Sequence, residues 1–258
     1  MDAWTKILML QEPRLEKPIL VQGLPGLGFV GKLAVNYLID ELKPEKFAEL
    51  YSTYLTLLDG NIGININADG TFHLPKFEFY RYQSNKPDVI FLTGDTQPNI
   101  YGQYEVTEYA LDFVQKYGCQ QVIALGGFQT PVDKELEKVY GVYNNQPNEE
   151  ALKKLGVSIT KSGSITGSCG TILGLSDQRK ISAFGLLGAT KGEYPDMKAA
   201  KRVLEILGNI LNIKIDMTHL DTEIENMKHK IENLHKLQSE ALGNVKKEMA
   251  RGPSPFYV

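Results

Sequence analysis

The stretch that most constrains this chain is a short apolar run, Pro18-Ile19-Leu20-Val21-Gln22, that passes straight into Gly23-Leu24-Pro25-Gly26-Leu27-Gly28-Phe29-Val30-Gly31. Over residues 29–42 the apolar side chains return at helical spacing, with Val30, Leu33, Ala34, Tyr37 and Leu38 on one side. Pro44 closes that helix. Strand, Gly-rich turn and helix in direct succession belong to a sheet that carries helices on its faces.

The pattern then repeats. Residues 88–93 and 121–125 are compact apolar runs suited to buried parallel strands, ending in Gly94-Asp95-Thr96-Gln97-Pro98 and Gly126-Gly127. Residues 104–117 read as the helix between them, capped by Gly118. Further strands are expected at 47–58, 139–143, 157–161 and 181–187, with helices at 148–155, 168–175 and 196–211. The turn dipeptides Asp59-Gly60 and Asp69-Gly70, with Ile62, Ile64 and Ile66 alternating between them and Phe72, Leu74, Phe77 and Phe79 after them, predict a small antiparallel hairpin set inserted into the body. The fold class is therefore α/β, a three-layer α/β/α sandwich with a mostly parallel sheet.

Residues 1–212 make up this α/β domain, and the remainder changes character. In residues 213–251 the apolar positions step by three and four through Met217, Leu220, Ile224, Met227, Ile231 and Leu234, then Gln238, Ala241 and Val245. That period predicts a C-terminal helical or coiled-coil extension, either self-associating or folded as a hairpin. An amphipathic helix lying on its own domain is the other reading. Residues 252–258 follow as a proline-stiffened leash, Gly252-Pro253-Ser254-Pro255, and an aromatic tip, Phe256-Tyr257-Val258. The prolines limit the entropy lost on binding, and the tip offers a large apolar group, a phenol and a carboxylate. A frayed terminus is the plainer reading.

Composition narrows the function. With 42% apolar and 23% charged residues, a sizeable core is expected. A net charge of −3 argues against a nucleic-acid partner. No signal pattern or membrane-length apolar run is present, which gives a cytoplasmic expectation. Cys119 and Cys169 are too isolated for a disulfide framework or a metal site. No cofactor is expected.

Two stretches compete for chemistry. Gly26-x-Gly28-x-x-Gly31 sits where a dinucleotide site would, with glycines for close phosphate approach and a helix N-terminus behind them. Pro25 removes one N–H, no acidic residue ends the next strand as a ribose partner, and Gly31-Lys32-Leu33 is not a Walker sequence. Gly23, Pro25, Gly26, Gly28 and Gly31 are read mainly as a structural turn. The strand-end loops bring Asp95, Gln97, Gln129, Asp133 and Ser168 toward one crevice, yet no local pattern sets a histidine beside Ser168 or Cys169, so no catalytic residue is assigned.

Three separated segments, taken together, resemble the proteasome assembly chaperone 2 family: 19–31 with its glycine turn, Gly94-Asp95-Thr96-Gln97-Pro98, and Thr166-Gly167-Ser168-Cys169-Gly170 onward with Leu186-Leu187-Gly188-Ala189. The resemblance spans roughly residues 5–210. It implies a nucleoside-phosphorylase-like sandwich and a non-enzymatic, homo-oligomeric, archaeal chaperone or activator. In that context Phe256, Tyr257 and Val258 resemble the HbYX motif, a hydrophobic residue, a tyrosine and any last residue. The resemblance implies that this tail inserts between α-subunits of the 20S proteasome, with its carboxylate on a pocket lysine. Two other readings stand beside it: a nucleotide- or nucleoside-binding enzyme using the Gly-rich turn, and an oligomeric adaptor for another partner with the tail packed inside.

Overall fold

The chain divides into two units, Met1–Asp216 and Met217–Val258. The structure, a computed structural model, describes residues 3–83 and 87–216 of the first and 217–226 of the second. In the second unit residues 218–226 are helical and carry Leu220 and Ile224 of the heptad pattern. Met217 of the pattern directly precedes that helix, and Met227 onward and the whole tip lie outside the described residues.

The first unit is built on one sheet. Its strands are β1 (Thr5–Met9), β2 (Ile19–Gln22), β3 (Glu45–Ser52), β6 (Lys76–Tyr82), β7 (Val89–Gly94), β8 (Gln121–Gln129), β9 (Val139–Tyr143), β10 (Ser158–Ile159) and β11 (Ser182–Thr190). They lie in the order β1-β3-β6-β7-β2-β8-β11-β9-β10. The centre, β7-β2-β8-β11, is parallel, with Ile19 opposite both Val89 and Gln121. Antiparallel strands extend the sheet on both sides, as β6 on β7 and β9 on β11. Central strands with both faces covered read as unbroken apolar runs, and β2 and β7 are buried along their whole length.

Helices α1 (Val30–Leu42) and α5 (Met197–Leu211) pack on each other, as do α2 (Gln103–Gln115) and α4 (Gly167–Gln178). Strand period 2 sorts the side chains between the two layers. Leu20, Ile90, Leu92, Val122 and Ala124 share one core with Val106, Ala110 and Leu111 of α2 and Ile172 and Leu175 of α4. The intervening Val21, Phe91 and Ile123 are equally buried, and α1 and α5 pack on β8 and β11 respectively. The short α3 (Gln146–Lys154) covers β9 and β10. The result is the three-layer arrangement expected from the strand–helix alternation. No described helix is long and apolar enough to cross a membrane.

The inserted β region divides differently from its sequence pattern. Only β4 (Asn65–Ile66) and β5 (Phe72–His73) form a separate hairpin, closed by Gly70 at φ 84° and an Asp69 carboxylate accepting from Thr71 N. Beyond Pro75, Phe77 and Phe79 enter β6 of the main sheet, because both rings find buried positions there. Phe79 lies edge-on to Phe113 at 4.9 Å between centroids, and Phe47 and Tyr117 complete an aromatic cluster under α2.

The other face of β3 and β6 carries charge. Glu49 accepts from Lys46 Nζ at 2.8 Å, Lys76 Nζ at 2.5 Å and Tyr51 Oη at 2.7 Å. Burial alone would raise the Glu49 carboxyl, but hydrogen bonds from Lys46, Lys76 and Tyr51 outweigh it and hold the group at about 2, against an ordinary 4.5. A depressed carboxylate adds stability above its unfolded value and loses it as pH falls through the folded value. The Glu49 contribution is therefore complete above about pH 5 and decays from about pH 4.5 toward pH 2. Urea unfolding at pH 6 and pH 3 should show a smaller acid loss for Glu49→Gln than for the native chain. Equal losses would mean that the network does not set the acid limb.

Candidate functional site

The Gly-rich turn leaves β2 and enters α1 through a single 3-10 turn at Leu27–Phe29. Gly28 has φ 58°, where a side chain is strained, and its carbonyl accepts from Asp196 N at 2.8 Å. Gly31 is bare for a different reason: a methyl group there would lie 2.2 Å from the Leu125 carbonyl oxygen. Gly23 N donates to Leu92 O at 2.9 Å, tying the turn to β7. Gly26 and Pro25 face Gln97. Protein atoms pack against these positions.

Gln97 is the residue whose importance the sequence pattern missed as a connector. Its Nε2 donates to the Pro25 carbonyl, and its Oε1 accepts from Ser168 N at 2.8 Å. One side-chain amide thus joins the glycine turn, the loop after β7 and the N-terminus of α4. Gln103 supports the same junction, with Nε2 donating to Pro98 O at 2.6 Å and Oε1 accepting from Ser168 Oγ at 3.2 Å. Lys32 adds a further tie, Nζ donating to Gly94 O at 2.8 Å. Burial lowers the Lys32 pKa, opposed by the charges of Asp95 and Glu78. The three segments that carry the family resemblance are therefore one physical assembly.

Next to it lies a cavity of about 450 Å³ at the carboxyl ends of β2 and β8. Gln22, Gln97, Gln129 and Cys169 line it, together with the glycines of both turns. Burial pushes the Cys169 thiol up to about 12, so it stays protonated. Of the residues expected to converge, Gln97, Gln129 and Ser168 meet at or beside this crevice, whereas two do not. Asp95 turns to His73 Nε2 at 3.2 Å and Lys76 N at 3.1 Å, and Asp133 pairs with Lys191 at 2.9 Å. Among the described residues no group of three or more His, Cys, Asp or Glu is placed to hold a metal. Phe256, Tyr257 and Val258 lie outside the described residues.

If the Gln97 amide is the connector, removing it leaves the Pro25 carbonyl and Ser168 N without partners. Gln97→Ala should cost about 1–3 kcal/mol in urea unfolding. Gln97→Glu keeps the acceptor for Ser168 N and loses only the donor, so it should fall between. A loss under about 0.5 kcal/mol for Gln97→Ala, the range of ordinary surface changes, would contradict the role.

The PAC2 family model matches residues 20–235. Among solved structures, Pyrococcus furiosus PbaB, described as an archaeal proteasome activator, superposes with a TM-score of 0.82 at 36% identity, over 90% of this chain and 98% of that one. Pyrococcus furiosus PbaA, described as an archaeal homologue of proteasome-assembly chaperone, gives a TM-score of 0.76 at 26% identity, over 96% and 98%. An uncharacterised protein of Methanocaldococcus jannaschii is 35% identical over 242 residues, 93% of this chain and 90% of that one. A family match over most of the chain, and a relative 35% identical across 93% of it and of nearly equal length, lead to one assignment: the chain belongs to the PAC2 family.

Proposed function

We propose that this protein is a non-enzymatic, cytoplasmic partner of the proteasome, of the assembly-chaperone or activator type, which docks its C-terminal Phe256-Tyr257-Val258 between α-subunits of the 20S particle. The observation that carries the reading is the likeness to PbaB, an archaeal proteasome activator, across nearly all of that chain. The tail sequence supports it. Phe256 supplies apolar area, Tyr257 a ring with a hydrogen-bonding tip, and Val258 a carboxylate for a basic pocket. Proline favours extended backbone, so Pro253 and Pro255 suit a leash that loses little entropy on docking.

Self-association belongs to the same proposal. Several copies in a closed assembly present several tails, and linked tails gain avidity without new contacts. The hairpin of β4 and β5 leaves Ile66 74% and Phe72 69% exposed, and Ile62 in the segment before it is 94% exposed. Ile66 and Phe72 stand opposite each other across the hairpin, and an exposed apolar pair of this kind suits a contact between copies. The heptad-patterned segment is the second element proposed to hold copies together.

Deleting Phe256-Tyr257-Val258 should lower capture of purified archaeal 20S proteasome at least tenfold. The melting temperature and the oligomeric mass by light scattering should stay unchanged. Tyr257→Ala should give most of the same loss. Full capture by the truncated protein would overturn tail docking and favour an adaptor that binds through another face.

A further inference from the structure

The hairpin of β4 and β5 is built inside out. Its register sets Asn65 opposite His73 and Ile66 opposite Phe72, so strand alternation sorts the side chains onto two faces. Asn65 and His73 share one face and are half-buried, and His73 Nε2 meets Asp95 Oδ2 of the main body at 3.2 Å. The polar face is therefore turned inward. Ile66 and Phe72, with Ile64 and Leu74 next along the same alternation, lie on the other face, and all four are exposed. An antiparallel ribbon on a soluble body ordinarily places its apolar side inward and its polar side in water. A one-residue slip in register would exchange the faces, but the turn opposes it: Asn67 N donates to Thr71 O at 2.8 Å and Gly70 N to Asn67 O at 2.9 Å.

Little else supports the ribbon. Among the described residues, the hydrogen bonds of residues 57–74 close within that segment, apart from the one between His73 and Asp95. Two strands alone are marginally stable, and an apolar face needs a further layer against it. The open area is large enough to call for one. Leu58, Ile62, Ile64, Ile66, Phe72 and Leu74 are between 45% and 94% exposed. At about 200 Å² for each residue fully bare, they present about 800 Å², beyond the roughly 300–600 Å² of the largest patch on a typical monomer and equal to one partner's share of a standard interface.

The chemistry of the face selects what covers it. Ile64, Ile66, Phe72 and Leu74 include no charged or polar group. The carboxylates of the segment, Asp59 and Asp69, are taken up by Asn61 and Thr71 in their own turns. A charged partner face would lose its hydration here without a counter-charge. Contacts between identical subunits are the more apolar class, whereas interfaces with separate partners are about as polar as the rest of the surface.

We propose that this hairpin stacks face to face on the same hairpin of a second copy, with Ile64, Ile66, Phe72 and Leu74 of both inside. Two ribbons about 10 Å apart form a small two-layer sandwich. Related by a two-fold axis, the contact uses the same surface on each copy and closes on itself. It rests on the self-association proposed above and names the surface responsible, and it is independent of tail docking.

Light scattering on the full chain tests it. Ile66→Asp and Phe72→Asp each bring a carboxylate into the apolar contact, and each should lower the oligomeric mass to half or less of the native value. Both positions lie outside the core, so near-ultraviolet circular dichroism should stay native. Val132→Asp, at an exposed apolar residue after β8, should keep the native mass. Ile66→Cys treated with a bismaleimide about 10 Å long should give a covalent dimer that the native chain does not. Native mass in both hairpin variants overturns the contact and leaves self-association to another surface. So does absence of the cross-linked dimer, or an equal loss of mass in Val132→Asp. A native chain that is itself monomeric overturns self-association altogether.

Discussion

The backbone of α1 lies so close to β8 that a methyl group on Gly31 would sit 2.2 Å from the Leu125 carbonyl. This contact sets how near the first helix approaches the sheet, and much of the remaining arrangement depends on that distance. With α1 seated there, the turn before it must fold back sharply, and Gly28 takes a left-handed conformation to do so. The folded-back turn brings Pro25 within reach of Gln97 and the Gly28 carbonyl within reach of Asp196 N at the start of α5. A bulkier residue at position 31 would lift the helix and separate these contacts together.

That geometry explains how one sequence element serves fold and site at once. The glycines resemble a phosphate-binding turn, but in this chain their open backbone is filled by protein atoms: Leu125 against Gly31, Thr190 against Gly28 and Gln97 against Gly26. The space left beside the turn belongs to the notch where β2 ends. It is neutral and bordered by carboxamides rather than by ammonium or guanidinium groups. The family assignment and the likeness to a proteasome activator concern most of the chain, whereas this notch is a local property of the α/β unit.

Charge is placed apart from the site. Lys46, Lys76, Glu49 and Glu78 neutralise one another on the antiparallel side of the sheet, with Tyr51 and Tyr80 donating to the two carboxylates. Asp95 and Asp133, which strand-end position alone would send toward the crevice, are drawn off by His73 and Lys191. Each finds a cationic or N–H partner on its own side. The crevice is left to uncharged groups for that reason.

The amino-acid sequence by itself determined the α/β class and the places of the main strands and helices. Those properties are local: a buried parallel strand announces itself as an apolar run, and a helix as apolar residues at 3.6-residue spacing. It also carried the family resemblance through three short segments. Only the tertiary structure decided that these segments touch, because Gln97 and Ser168 stand 71 residues apart and meet only through strand order β7-β2-β8. The division of residues 62–79 between a hairpin and the main sheet was likewise invisible locally, since alternation is the same in both and burial of Phe77 and Phe79 made the choice. The unpaired oxygen of Gln22 is the clearest case. Nothing in its neighbours marks it, and its burial follows only from what packs around the end of β2.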